Sequence, residues 1–338
     1  MIVVHDSRQL QSSADARQSR DQNRPSSSSQ LVDTRSVARK HHYVPQGYLA
    51  AFTDTGAKDG QFHVLDVQSG HAFRTSPGNV AAQRDFNRVD IEGRSPDAVE
   101  NALAPFEGQA IAAIRRVIET RSYPRDKDWN LIVNLLTLIA VRNPRLRESF
   151  NRSREQVIRR TSELLVSERS LWERHAEKAK KAGEELPDVS YERAKAFIEE
   201  GQYDIVFSPE GNLRIEFDTF DKVLPLLGSR HWSVLVAPDD GPEFICCDYP
   251  VALTWKGARS GPIGYGLEHT EVFFPLGRRV GLYGVFESPI NEVVHCQPKN
   301  VGIMNRHVLE SAERHLYSAH DTFVVWAEGD LREVQCQS

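Results

Sequence analysis

Cysteine is scarce: there are four in 338 residues, with Cys246 and Cys247 adjacent and Cys296 and Cys336 isolated. That excludes a disulfide framework and leaves no C-x-x-C spacing for zinc or redox chemistry. Buried free thiols suit a reducing compartment. Long apolar runs are missing too, and nothing approaches the ~20 residues that a membrane helix needs, so no membrane partner is expected. A dominant charge is also lacking, since 42 basic and 47 acidic residues leave a formal net charge of −5. Nothing global draws the chain to a polyanion, so a nucleic-acid or nucleotide partner would have to meet a local basic patch. No Gly-rich phosphate loop and no G-x-S-x-G elbow occurs, which sets those enzyme classes aside. The opening Met1-Ile2-Val3-Val4 turns polar at once, without a secretory pattern, and the cytoplasm is the expected location.

Composition divides what is present. Residues 1–37 are read as a disordered tail, because from residue 5 onward they are rich in Ser, Arg, Asp and Gln, with Ser26 to Ser29 consecutive. Residues 38–338 are read as one α+β domain, helix-rich over 95–200 and strand-rich over 213–327. After Pro45 the apolar residues Tyr48, Leu49 and Phe52 fall at helical spacing. Ser95-Pro96-Asp97 opens a helix with the stripe Val99, Leu103, Phe106, Ala110, Ile114 and Val117. Trp129 to Val141 is apolar nearly all round and reads as a buried helix, ended by Arg142-Asn143-Pro144-Arg145. Residues 146–182 are charged and predict one long projecting helix or a helix pair, with the run Lys178 to Glu185 at its tip. Strands are expected at Gln61–Asp66, Leu213–Phe217, Trp232–Ala237, Glu243–Trp255, Glu271–Gly284 and Thr322–Ala327. Helices are expected at Phe217–Leu227 and Val301–Tyr317. Helices first and strands later predict a helical half packed on a largely antiparallel sheet.

His41-His42-Tyr43-Val44-Pro45-Gln46-Gly47-Tyr48-Leu49-Ala50-Ala51-Phe52 closely resembles the opening signature of the family called domain of unknown function 4238. Three later pieces are similar to its landmarks in order: Arg142-Asn143-Pro144-Arg145, Phe244 to Val251, and Phe273-Phe274-Pro275-Leu276, with Asn305 in the matching late helix. Cys247 stands where Ser is usual and Tyr249 where Asn is usual. The resemblance spans residues 39 to 327 and implies a compact bacterial-type domain without implying an activity.

The chemistry that these residues offer is open between two readings. A helix starting at Pro45 would aim free N–H groups at the surroundings of Lys40, His41, His42 and Gln46, a setting suited to a phosphate. Adjacent side chains on an extended segment point apart, so one histidine lines such a site and the other packs inside. In the enzymatic reading, His41 or His42 supplies a base or a metal ligand, Arg142 and Arg145 clamp a phosphate, and Asp248 holds a divalent metal or orients a histidine. Asn305 joins the substrate side. His41-His42-Tyr43-Val44-Pro45 also looks like the start of a His-Asn-His nuclease, but His63 and His71 fall in the wrong contexts for its continuation. The function expected on this reading is a phosphodiester- or phosphoryl-directed hydrolase, a nuclease-like effector in conflict with phage or rivals. The alternative is a non-catalytic nucleotide- or protein-binding sensor in which His41 to Gln46 is a structural clasp. There Arg142 and Arg145 serve a helix end, Asp248 a turn, and Asn305 a cap. Convergence of His41 or His42, Arg142 and Asp248 in one place separates the readings.

Overall fold

The computed structural model describes residues 2–6, 39–183, 189–287 and 292–336. The expected disordered tail falls mostly on residues 7–37, which lie outside that set, as do residues 184 and 185 of the charge run. The chain divides into two compact units, Met1–Ser36 with Arg147–Asn212, and Val37–Leu146 with Leu213–Ser338. Among the described residues, no helix is long and apolar enough to cross a membrane.

The second unit is the expected α+β arrangement. Its elements are β2 (Lys40–His42), α1 (Gln46–Leu49), β3 (Phe62–Asp66), β4 (Ala72–Thr75), β5 (Ala82–Arg84), α2 (Ala98–Thr120) and α3 (Asp126–Val141). They continue, after Leu213, with β7 (His231–Val236), β8 (Cys246–Cys247), β9 (Ala252–Trp255), β10 (Thr270–Gly277), β11 (Val280–Val285) and β12 (Val293–His295). The chain closes with α8 (Pro298–Ser311), β13 (His315–Ser318), β14 (Thr322–Ala327) and β15 (Asp330–Gln335). A five-stranded sheet runs β12-β7-β11-β10-β9, antiparallel except for the β12–β7 pair. A second sheet runs β4-β3-β13-β8.

Strand alternation places a core on each face of the five-stranded sheet. Trp232, Val234, Val236, Val272, Phe274 and Leu276 belong to one cluster with Ile114 and Val117 of α2 and Leu135 and Ile139 of α3. Leu235 and Phe273 point the other way, to Val301, Met304 and Val308 of α8. The segment after β2 is pinned to the first of these cores. The Tyr48 ring stacks on Phe274 with centroids 5.1 Å apart, and its hydroxyl donates to the Pro275 carbonyl at 2.6 Å.

In the first unit, β1 (Ile2–Asp6) pairs antiparallel with β6 (Tyr203–Phe207). The charged stretch forms α4 (Pro144–Ser167) and α5 (Arg169–Lys181), followed by α6 (Tyr191–Glu200). Val166 is the buried residue of α4 and Ala179 that of α5, which is the solvated character their composition predicts.

Three expected elements need correction. Leu213–Phe217 is not a strand but part of α7 (Pro209–Gly228). Its five residues alternate apolar and polar, yet Leu213, Glu216, Phe220, Leu224 and Leu227 also fit a helical row, and the longer period prevails. The late helix stops at Ser311, and His315 to Ser318 pair as a strand with β3. Within Glu243–Trp255 only Cys246–Cys247 and Ala252–Trp255 are strand, because Asp248-Tyr249-Pro250 turns the chain between them.

Tyr48→Phe should lower stability by about 1–2 kcal/mol, since it strands the buried Pro275 carbonyl without cutting the ring stack. Chemical denaturation with an unchanged m-value checks this.

Candidate functional site

β2 pairs with β5 in the register Lys40↔Arg84, His41↔Gln83, His42↔Ala82. The pleat sends the two histidines to opposite sides, as the sequence required. His41 is 1% exposed, and its Nδ1 accepts the Asn87 backbone N–H at 2.8 Å. His42 is half-buried, and the Gln46 amide donates to its Nδ1 at 3.3 Å. With Nδ1 accepting, the neutral ring carries its proton on Nε2, a buried nitrogen that makes no well-aligned hydrogen bond although the Gly78 carbonyl lies close enough to act on the ring. Burial lowers the His42 pKa, reinforced by the Lys40 charge and opposed by the Gly78 carbonyl and Glu100. The ring is therefore neutral at pH 7. Lys40 donates to the Gly78 carbonyl at 2.7 Å.

Asn87 ties this segment to the two long helices. Its Oδ1 accepts from Arg142 Nη2 at 2.6 Å, and its Nδ2 donates to Glu100 Oε2 at 2.7 Å. Arg142 caps the end of α3, and its Nε lies 3.8 Å from Glu216 Oε2, with side chains 6% and 1% exposed. The turn that aims Arg142 is set by Asn143, whose Nδ2 donates to the Ala140 carbonyl at 3.0 Å while its Oδ1 accepts the Leu146 N–H at 2.9 Å. One asparagine thus closes α3 and opens α4.

Glu107, one further helical step along α2 from Glu100 and Leu103, completes the cluster. Burial and the Glu100 charge push its carboxyl up to about 7, with Arg142 and Lys58 pulling down. Glu100 is thus the common neighbour, acting on the His42 ring from one side and on the Glu107 carboxyl from the other. Among the described residues, no group of three or more His, Cys, Asp or Glu is arranged to hold a metal ion.

The sequence-derived residues fall into three places. Asn87 brings His41 and Arg142 together, while Lys40, His42 and Gln46 group on the other side of β2, where Lys40 reaches the Gly78 carbonyl and Gln46 the His42 ring. Asp248 does not join them: its carboxylate accepts the backbone N–H groups of Glu313, Arg314 and His315 at 3.0, 2.9 and 3.1 Å. Arg145 lies near Asp248, 5.2 Å over the Tyr249 ring and 3.5 Å from Glu313. Asn305 is fully buried and stitches backbone, accepting from Ile245 N and donating to the Glu243 and Val324 carbonyls. The helix after Pro45 has four residues and passes into a 3-10 turn, Ala50–Phe52, which is too short to gather a strong dipole at its start.

Sequence reasoning missed Asn87, Glu100, Glu107 and Glu216. A signal existed for three of them. Glu100, Leu103, Glu107, Ala110 and Ile114 form one i, i+3/i+4 row, and Glu216 sits in the apolar row of α7. A carboxylate inside an apolar row must be paired or neutral.

The chain belongs to the family described as protein of unknown function DUF4238, whose model matches residues 40–322. Neither the curated proteins nor the solved structures contain a match to the chain.

Asp248→Asn should cost about 1–3 kcal/mol by weakening three charge-assisted hydrogen bonds from backbone N–H groups, and leave any activity of the folded protein unchanged. A melting curve beside a rate assay separates the two effects. Glu107→Gln should change stability with pH in a defined direction. The folded carboxyl is raised from 4.5 to about 7, so what it contributes is complete below 4.5 and is lost as pH rises through 7. The glutamine variant should match the parent near pH 4 and exceed it above pH 8 by about 1–2 kcal/mol, a figure reduced because water reaches part of the group.

Proposed function

We propose that the chain is a hydrolase directed at a phosphodiester or phosphoryl bond, with its site at His42 and Glu107. The observation that carries this reading is that Glu100 acts on both a half-buried imidazole lowered by burial, His42, and a carboxyl that burial pushes up to about 7, Glu107. Glu107 as carboxylate takes a proton from the attacking water, and returns one to the leaving oxygen. His42 Nε2–H donates to a phosphoryl oxygen as negative charge builds there. Lys40 and Lys58 supply positive charge beside the two groups. Arg142 positions the cluster from beneath through Asn87 and Glu216. The base assigned to a histidine on sequence grounds thus moves to Glu107, because Gln46 occupies His42 Nδ1.

The second reading, a nucleotide- or protein-binding module with this segment as a clasp, is favoured by the burial of His41, Arg142 and Glu216. In that case the same chain of hydrogen bonds serves anchoring alone.

Incubation with RNA, single-stranded DNA and bis(p-nitrophenyl) phosphate, with and without Mg²⁺, tests the proposal. Hydrolysis should rise with pH through an apparent pKa of about 7, the value at Glu107. Glu107→Gln should abolish it. His42→Ala should slow it by about 100–1,000-fold, as loss of an oxyanion donor does, and His42→Gln should recover part of the loss by restoring an N–H. Folded protein inactive on all three substrates would remove the hydrolase and leave the clasp.

A further inference from the structure

α8 carries a largely buried imidazole that the proposed hydrolysis does not use. The His307 side chain is 13% exposed, and its Nε2 lies 3.5 Å from Glu271 Oε1 on β10. Its Nδ1 is buried and has no hydrogen-bond partner. Glu271 is itself held in place. The Tyr283 hydroxyl of β11 donates to its Oε2, and the Thr254 hydroxyl of β9 donates to its Oε1 at 3.4 Å. Burial and the Glu271 charge hold the Tyr283 phenol above its ordinary value, so it stays a donor. Three strands thus aim one carboxylate at one helix.

The neutral ring suits this setting, with Nε2–H toward Glu271 and an idle lone pair on Nδ1. A second proton adds an N–H at Nδ1, where nothing accepts it. The charged groups that act on the ring are Glu271 from β10 and, on α8 itself, Glu310 and Arg306. Arg306 and Glu310 also pair with each other at 2.7 Å, which mutes both. Of the other strands against α8, β9 and β14 carry no charge, and β8 offers only thiols that burial keeps protonated. β15, with Asp330, Arg332 and Glu333, meets the helix at Gly302 through Leu331, more than a turn away. Burial outweighs the two carboxylates and sets the His307 pKa below 6.5. α8 in turn holds the C-terminal hairpin. A Cβ at Gly302 would lie 3.1 Å from the Trp326 N of β14, so helix and strand are in close contact, and Asn305 Nδ2 donates to the Val324 carbonyl at 3.0 Å. We propose that His307, set against the Tyr283–Glu271 pair, is a pH-sensitive latch: neutral, it lets α8 lie on the sheet, and protonated, it loosens α8 together with β14 and β15. What the latch contributes is complete above 6.5 and is lost as pH falls through the lower value that burial sets. It shares no residue with the His42 cluster and stands whether or not the chain is a hydrolase.

Two measurements on the full chain test the latch. Magnetic resonance of labelled histidine should show His307 titrating below 6.5. Tyr283→Phe should raise that midpoint by about half a unit or more, because Glu271 then answers one donor fewer and favours the imidazolium. Hydrogen exchange read by mass spectrometry should show residues 298–311 and 322–335 exchanging at least about threefold faster at pH 5 than at pH 7.5, after correction for intrinsic rates, while α3 keeps its protection. His307→Gln keeps an N–H for Glu271 and has no proton to gain, so it should erase that difference, with circular dichroism confirming the fold. The titration of the unaltered chain decides the matter if this variant does not fold. A His307 midpoint at or above 6.5 overturns the proposal. So does a midpoint unmoved by Tyr283→Phe, exchange in 298–311 that acid leaves unchanged, or an acid effect that His307→Gln retains.

Discussion

A buried guanidinium must be paired, and Arg142 is the one around which the candidate site is arranged. Leaving such a group or its partner uncompensated costs about 3–5 kcal/mol. Glu216 from α7 faces its Nε and Asn87 accepts from its Nη2, so three distant stretches of chain are obliged to meet. The same Asn87 offers its backbone N–H to His41 and its amide to Glu100. His41 therefore acts as an anchor, and the pleat of a three-residue strand then delivers His42 to the opposite side. The neutral state of His42 and the raised carboxyl of Glu107 follow from where this network leaves them, partly shielded from water and close to like charge.

The opening motif joins that network to the sheet. Tyr48 reaches the carbonyl of Pro275 and stacks on Phe274, so the residues after His42 are held by the strand that separates the two cores. Asp248 and Asn305 do comparable work elsewhere, each answering several backbone groups from distant parts of the chain. Their polar character, which on sequence grounds allowed a role in binding, is accounted for by architecture.

Much of the fold was legible because it is written locally. Trp129 to Val141, apolar nearly all round, read as a buried helix, and the apolar run from Val272 to Leu276 read as a strand. What was not legible depends on partners far along the chain. The late helix ends without a glycine or proline to mark it, and its continuation is fixed by the Asp248 carboxylate from the turn after β8. Leu213 to Phe217 fits both periods over five residues, so Glu216 was read on a strand and its apolar row went unseen. Of the candidate site, the histidines and Arg142 carried recognisable signatures. Asn87 has none, since an asparagine between short elements looks like any turn residue, and its importance comes only from the three groups it bridges.

The central claim is that this network inverts the usual order of two acids, with the imidazole titrating below the carboxyl. Nuclear magnetic resonance can follow both in one sample, with ¹³C-labelled histidine and glutamate assigned through His42→Ala and Glu107→Gln. The account predicts that His42 loses its proton below the ordinary 6.5 while Glu107 keeps its own until about pH 7. A His42 pKa at or above 6.5, with Glu107 titrating near 4.5, would contradict it.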